Sequence, residues 1–415
     1  MKPFYIFILV LLASCNTKNV FVKNTDKMTA EKILGNPNYQ AICYGGYRTN
    51  SRDIQPTLAQ LKEDMKILSA LNIKFIRTYN VHHEEVKNLL QVITDMKKED
   101  PSFEMYIMLG IWIDCKNAFT DLPRVHYEES ERNAVEIEES VRLANKYPDI
   151  VKVLAVGNEA MVKWATSYYV TPHIILKWVN YLQNLKKESK LPKDLWITSS
   201  DNFASWGGGE SLYHVEDLKQ LYQAVDYVSI HTYPMHDTHY NPVFWGVMTH
   251  EKDLSEEEKI DSLMIRARDY AKGQYRSVHN YMKSIGVNKP IHIGETGWAT
   301  ISEGLYGSAG SKACDEYKSA KFYKLMREWT DKENISCFYF EAFDENWKDK
   351  GNPLGSENHF GLFTLDGKAK YVIWDEVDKG TFKNLKRDGN PIKKTYDGNK
   401  TLLWNDVKIP NHIRH

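Results

Sequence analysis

The 415-residue sequence has few cysteines and no recognisable metal-ligand motif. It contains five cysteines, none of them spaced as a C-x-x-C pair, and it has no H-E-x-x-H segment. These absences argue against a zinc framework and against a domain stapled by disulfides. We therefore expect Cys43, Cys115, Cys314 and Cys337 to be buried free thiols.

The chain also lacks a charge imbalance and a phosphate-binding glycine motif. Its 54 Lys and Arg residues nearly cancel its 55 Asp and Glu residues, so no net field favours nucleic acid or an anionic membrane surface. The glycine-containing segment YGGYRTN is not a G-x-G-x-x-G turn, which argues against an open dinucleotide-binding sheet. A neutral substrate fits this charge balance better than an anionic one.

The N-terminal hydrophobic run is too short for a comfortable membrane span. Lys2 is followed by FYIFILVLLA and then by Ser14 and Cys15, which is the order of a signal peptide. The ending LASC resembles a bacterial lipobox, with an ordinary signal peptide and a chance cysteine as the alternative. We predict a lipoprotein signal peptide in residues 1–15, lipidation at Cys15 and a polar tether in residues 16–36. The expected location is the outer membrane, on its periplasmic side or at the cell surface.

Eight short apolar runs predict strands, and helical patterns separate most of them. The runs lie at residues 39–47, 73–79, 105–113, 151–158, 195–200, 225–233, 290–296 and 335–343. Helical patterns lie near residues 58–68, 84–98, 131–147, 171–188, 256–285 and 312–332. Continuous apolar strands alternating with helices are typical of a parallel sheet, and eight of them predict an α/β fold of the (β/α)8 TIM-barrel type. We assign residues 37–385 to a single catalytic domain and residues 386–415 to a C-terminal extension.

Acidic residues stand at the ends of two of these strands. Glu159 follows the fourth strand in VLAVGNEA, and Glu295 ends the seventh in HIGETGW. For one glutamate alone, a solvated residue that complements a helix dipole would be an equal alternative. Strands four and seven, however, face each other across a barrel mouth, where active sites lie. Two carboxyl groups placed there flank one bond, as glycoside hydrolysis requires.

Three segments resemble glycoside hydrolase family 17, the β-1,3-glucanases. They are VLAVGNEA, PIHIGETGWAT and FYFEAFDENWKD with the following HFGLFTLDGKAKY, and CYGGY and FIRTY resemble the first two strands of that family. The resemblance spans about residues 39–371. It departs from the family at Ala299, where proline is usual and shapes a turn.

The resemblance implies a role for each matching residue. Glu159 matches the general acid/base, Glu295 the nucleophile, and Asn158 the residue that binds the sugar 2-hydroxyl. The remaining substrate-binding candidates are Tyr79 and Tyr233 near the nucleophile, and Glu345 and Lys348 lining the cleft. Trp298 and Phe343 are candidate sugar platforms, with a place in the core as the alternative for either ring. No metal and no organic cofactor is implied.

Two further side chains and two loops complete the expected site. We predict that Arg77 is a buried partner of a carboxylate, and that His231 is a hydrogen-bonded barrel histidine rather than a catalyst. The long connections at residues 201–214 and 234–255 are expected to wall the cleft, because long ordered loops in compact domains are usually functional.

Together these features predict a retaining, endo-acting hydrolase of β-1,3-glucosidic bonds in a laminarin-like glucan, with no nucleic-acid partner. A β-1,3-glucanosyltransferase would use the same residues, with a sugar hydroxyl replacing water in the second step. A non-catalytic glucan-binding lipoprotein on a decayed enzyme fold is a third possibility. The presence of both Glu159 and Glu295 counts against it.

Overall fold

The structure, a computed structural model, describes Met1 and residues 27–413. Its centre is a closed barrel of parallel strands in which each strand pairs with its sequence neighbours and the first pairs with the last. The strands are β1 (Gln40–Cys43), β2 (Ile73–Arg77), β3 (Tyr106–Ile111), β4 (Val151–Asn158), β5 (Trp196–Asn202), β6 (Val228–His231), β7 (Ile291–Gly297) and β8 (Cys337–Phe340). The predicted TIM barrel is confirmed.

Helices cover the outside of the barrel. They are α1 (Leu58–Ala70), α2 (Glu84–Glu99), α3 (Arg132–Lys146), α4 (Pro172–Lys187), α5 (Glu216–Ala224), α6 (Glu256–Ser284) and α7 (Glu316–Lys332). Helices α1 and α6 begin with capping boxes, in which Thr57 pairs with Gln60 and Ser255 with Glu258. The predicted helices are confirmed, and α5 is an addition whose nine residues are too few to give a clear helical period.

The strands are buried on both faces because side chains fill the barrel and helices cover it. Every residue of β3, β6, β7 and β8 is buried. In the interior, the rings of Phe75 and Phe338 lie 4.9 Å apart between β2 and β8. The four predicted thiols, Cys43, Cys115, Cys314 and Cys337, are free and buried as expected.

Both ends of the predicted catalytic domain need correction. A short helix, Ala30–Ile33, packs into the core, so residues 29–36 of the predicted tether belong to the folded domain. At the other end the extension is packed against the barrel, because buried Arg387 donates from Nε to Asp64 Oδ1 of α1 at 3.0 Å. Residues 2–26, which include Cys15, lie outside the described part.

The two long connections behave differently. The connection after β5 turns inward: Trp206 is fully buried and donates to the Ser229 carbonyl at 3.0 Å. Gly207 has φ +80°, and a Cβ there would lie 2.3 Å from the ring of Tyr281, so this turn packs tightly against α6. The connection after β6 forms the helix Pro234–Tyr240 at the end of the barrel that carries the acidic residues. No helix within the described residues is long and apolar enough to cross a membrane.

Candidate active site

The two predicted carboxylates lie at the carboxyl ends of β4 and β7. Glu295 is part of β7, whereas Glu159 follows the last residue of β4 with a φ of +45°. The Glu159 amide is held by the Ser200 carbonyl at 3.0 Å. A non-glycine residue in this region of backbone space is strained, and such strain concentrates at functional sites. The turn thus directs Glu159 into the mouth of the barrel.

Glu295 is a buried carboxylate surrounded by donors. Its Oε2 accepts from Arg77 Nη1 at 2.6 Å and from the Tyr79 hydroxyl at 3.1 Å, and its Oε1 accepts from the Tyr233 hydroxyl at 2.6 Å. Burial alone would raise the pKa of Glu295. Electrostatic interactions with His231 and Arg77, together with the Tyr233 hydrogen bond, outweigh burial and hold that pKa at about 2. Glu295 is therefore ionised at neutral pH, as a nucleophile must be.

Glu159 has a more open setting. Its side chain is 25% exposed, against 10% for Glu295. Its one ion-pair partner within the described chain is His231, whose Nδ1 lies 3.1 Å from Glu159 Oε1. The carboxyl group of Glu159 is thus more accessible from the mouth of the barrel than that of Glu295. The two carboxyl groups thus have environments suited to different tasks.

The predicted barrel histidine is buried and hydrogen-bonded at both ring nitrogens. His231 contacts Glu159 through Nδ1 and the Ser200 hydroxyl through Nε2 at 2.8 Å, and Ser200 continues to Ser229 at 2.9 Å. It lies opposite Glu295 in the β6–β7 register. His231 is therefore a barrel histidine as predicted, but it also fixes the position of Glu159.

Asn158 and Arg77 connect the two sides of the site. Arg77 is fully buried and donates from Nη2 to Asn158 Oδ1 at 2.5 Å, in addition to its bond to Glu295. The predicted role of Arg77 as a buried carboxylate partner is confirmed. Since the Asn158 amide oxygen is occupied, its NH2 group remains as a donor. That is the polarity needed to bind a sugar hydroxyl.

A second charged cluster lies under β8. Lys348 Nζ is 3.1 Å from Glu345 Oε2 and 3.5 Å from Glu341 Oε2, and it sits 4.3 Å from the centre of the Phe340 ring. Burial raises the pKa of Glu341. The charge of Lys348 lowers that pKa, and the charge of Glu345 raises it further. A Cβ at Gly45 would lie 1.9 Å from Glu345 Oε1, so the segment that follows β1 has room only for glycine there. The cluster adds a buried cation whose charge also lowers the pKa of Glu295.

The two predicted sugar platforms are wrong. Trp298 is fully buried, donates to the Ala313 carbonyl at 2.9 Å and packs against Phe322 of α7. Phe343 is 1% exposed and stacks on Phe363, under the guanidinium of Arg387. A sugar cannot reach either ring. Both are core residues that support the ends of β7 and β8.

Other aromatic side chains at the mouth were missed by the sequence analysis. Trp112 follows β3 directly, and Phe119 and Tyr168 contact it from two loops. Trp112 was predicted as the interior of an apolar strand, because its run, MYIMLGIWI, continues two residues past the observed end of β3. No group of three or more His, Cys, Asp or Glu side chains is placed to hold a metal ion in the described parts of the chain.

A closed (β/α)8 barrel with an ionised, buried glutamate and a more open glutamate on facing strands defines a glycoside hydrolase. Residues 41–361 match the BtgE/BtgC glycoside hydrolase domain, and the chain belongs to this family. The predicted β-1,3-glucanase-type family and the reaction class are confirmed.

Similar proteins include an enzyme of known structure. An endo-laminarinase from Formosa Hel1_33_131 is 64% identical, with a TM-score of 0.93 over 94% of this chain and 99% of that one. A glucan 1,3-beta-glucosidase of Arthroderma benhamiae is 26% identical over 66% of this chain and 73% of its own length. A putative glucan endo-1,3-beta-glucosidase of Aspergillus niger is 24% identical over 73% of this chain, which spans only 37% of that relative.

Proposed function

We propose that this protein hydrolyses internal β-1,3-glucosidic bonds of a laminarin-like glucan with retention of configuration. The observation that carries the proposal is the contrast between the two glutamates. Glu295 is held ionised by Arg77 and two tyrosine hydroxyls, whereas Glu159 is more exposed and its carboxyl group contacts His231. One group is thus suited to nucleophilic attack and the other to proton transfer.

The reaction follows from this division. A carboxylate oxygen of Glu295 bonds to the anomeric carbon while the glycosidic C–O bond breaks, and the Glu159 proton passes to the leaving oxygen. A water molecule then gives its proton to Glu159 and attacks the same carbon, which releases Glu295. Asn158 donates to the 2-hydroxyl of the sugar, a contact that strengthens in the transition state. Two inversions give net retention.

The choice of substrate rests on two supports. The 64% identical Formosa protein is an endo-laminarinase, and the family relatives are named as β-1,3-glucan hydrolases. The balanced charge of the chain also suits a neutral glycan rather than a polyanionic one, which would call for an arginine-rich cleft.

The proposal predicts both linkage choice and stereochemistry. The purified enzyme should cleave unbranched β-1,3-glucan and leave cellulose, xylan, mannan and charged polysaccharides nearly untouched. Proton NMR in the first minutes of the reaction should show the β anomer at the new reducing end, because retaining enzymes invert twice. Faster cleavage of cellulose or mannan would overturn the substrate assignment, and a first-formed α anomer would overturn double displacement.

We also propose that the protein is lipidated at Cys15 and held at the outer membrane. The motivation is the sequence LASC after a basic and apolar leader. In cells, the Cys15→Ser variant should appear in the soluble fraction or as unprocessed precursor, with Ser14→Gly as the matched control that keeps the cysteine. Durable anchoring needs more than one acyl chain, so mass spectrometry of the processed N-terminus should detect several. Unchanged processing and membrane partitioning of Cys15→Ser would refute lipidation.

A further inference from the structure

Three aromatic rings that contact one another form a cluster, here called the aromatic wall, beside the carboxyl end of β3. The wall consists of Trp112, Phe119 and Tyr168. Ring centres are 5.2 Å apart for Trp112 and Tyr168, 5.6 Å for Phe119 and Tyr168, and 6.2 Å for Trp112 and Phe119. The planes of the Phe119 and Tyr168 rings are inclined by only 23°, and the two rings stack on each other.

The wall is open to solvent and built at a conformational cost. Phe119 is 56% exposed, and Trp112 and Tyr168 are partly exposed. Phe119 has a φ of +58°, a left-handed conformation that a bulky residue adopts rarely. Its amide is fixed by the Ser167 carbonyl at 3.3 Å. Backbone strain of this kind is typical of functional positions.

The wall stands on the Glu159 side of the mouth. Trp112 follows β3, whose last residue, Ile111, pairs with Val156 of β4 two positions before Asn158. The Tyr168 carbonyl accepts from the Cys115 amide at 3.0 Å, which joins the loop after Glu159 to the loop after β3. Burial raises the pKa of Tyr168, and the negative charge of Glu159 is the next contribution, consistent with a short separation.

The position relative to Glu159 decides which part of a substrate the wall would meet. The general acid stands over the glycosidic oxygen that leaves, so surfaces beside it contact the leaving half of the chain. Exposed aromatic faces pack against the apolar C–H faces of pyranose rings and lose little conformational entropy in doing so. The neutral, apolar character of the rings suits an uncharged glucan chain.

We propose that Trp112, Phe119 and Tyr168 form the binding surface for the glucose units on the leaving-group side of the scissile bond. This inference rests on the proposed glucan hydrolysis and adds which residues bind that half of the chain. The wall thereby sets where along an oligomer the enzyme cuts. Loss of the wall favours binding modes that use the other half of the cleft.

A β-1,3-linked glucose hexamer labelled at its reducing end tests this assignment. Phe119→Ala should lower kcat/KM for the hexamer about five- to tenfold, the effect of one aromatic contact of modest strength. Cleavage should also shift towards the reducing end, which gives shorter labelled fragments. A short aryl β-glycoside, with no glucose on the leaving side, should be cleaved at the same rate within about twofold.

Two matched variants complete the experiment. Cys115–Lys116 and Val125–Glu129 form a hairpin whose connection carries Phe119. Tyr127→Ala removes a 67% exposed aromatic ring from the second strand of this hairpin, outside the wall, and it should change nothing. Phe119→Trp should restore the hexamer pattern. Equal thermal unfolding of Phe119→Ala and the parent excludes a folding defect, and Trp112→Leu offers a second removal of the surface if Phe119→Ala fails to fold.

The outcomes separate this inference from the proposed function. If the parent enzyme does not cleave the hexamer, the proposed function fails. If the parent cleaves and Phe119→Ala and Trp112→Leu leave the fragment pattern unchanged, the wall does not bind glucan. Longer labelled fragments would place the wall on the opposite side of the scissile bond and overturn the assignment.

Discussion

Replacement of Glu295 by alanine is expected to lower kcat for glucan on the order of 10⁵-fold, as in other enzymes that lose a covalent nucleophile. The loss should be equally severe on an aryl glycoside, because a good leaving group does not replace the attacking oxygen. Added azide or formate should occupy the space left by the carboxylate and give an α-configured product. Proton NMR of the anomeric configuration of the product and a rate measurement with each substrate would test this.

The Glu159→Ala variant should differ from Glu295→Ala in its dependence on the leaving group, so each variant serves as the control for the other. Glucan hydrolysis should fall about 10²- to 10⁴-fold, the usual contribution of a general acid. An aryl glycoside with an activated leaving group should retain its first step, because that leaving group needs little protonation. Azide should then release a β-configured product from the glycosyl-enzyme. If the two variants exchanged these behaviours, the roles of Glu159 and Glu295 would be reversed.

The barrel could be predicted because its signal is local. Each strand is a continuous apolar run, and each of six helices has a clear period and, in α1 and α6, a capping box. The positions of the two proposed catalytic residues could be predicted for the same reason, since Glu159 and Glu295 stand where an apolar run ends. The barrel topology then brings the two positions together.

The errors lie where contacts come from distant parts of the chain. Phe343 follows β8 as a cleft residue would, but Phe363 and Arg387 cover it from the C-terminal part of the chain. Trp298 follows β7, but its ring is enclosed by Trp245 and α7. Spacing along one strand cannot show which neighbouring segment covers a side chain, so aromatic platforms were not predictable from the motif.

Arg77 occupies the centre of the site, and its replacement should lower both the stability and the activity of the protein. One guanidinium group holds Glu295 Oε2, the Gly294 carbonyl at 2.8 Å and Asn158 Oδ1. Arg77→Met leaves Glu295 buried with fewer positive partners, so unfolding free energy should fall by about 3–5 kcal/mol. Activity near neutral pH should fall on the order of 100-fold, because Asn158 and Glu295 lose their fixed positions.

The loss of stability in Arg77→Met should depend on pH. In the parent, the folded pKa of Glu295 is about 2, below its ordinary value of 4.5. Its ionisation therefore contributes stability that is fully present above pH 4.5 and is lost as the pH falls towards 2. In Arg77→Met, burial is opposed by fewer charges, so the pKa rises and this contribution shrinks. The stability difference between parent and variant should grow from about pH 2 up to the raised pKa of Glu295 in the variant.

Arg77→Lys separates charge from geometry. A lysine keeps one positive charge near Glu295 but lacks the planar fork that reaches both Glu295 and Asn158. The acid limb of the pH profile of kcat/KM reports the pKa of Glu295 in the free enzyme. We expect this limb to stay at low pH in Arg77→Lys and to move towards neutral pH in Arg77→Met. Both variants should lose activity at the plateau. An acid limb that Arg77→Met leaves in place would show that His231, Tyr233 and Lys348 alone keep Glu295 ionised, and that Arg77 acts only by holding Asn158.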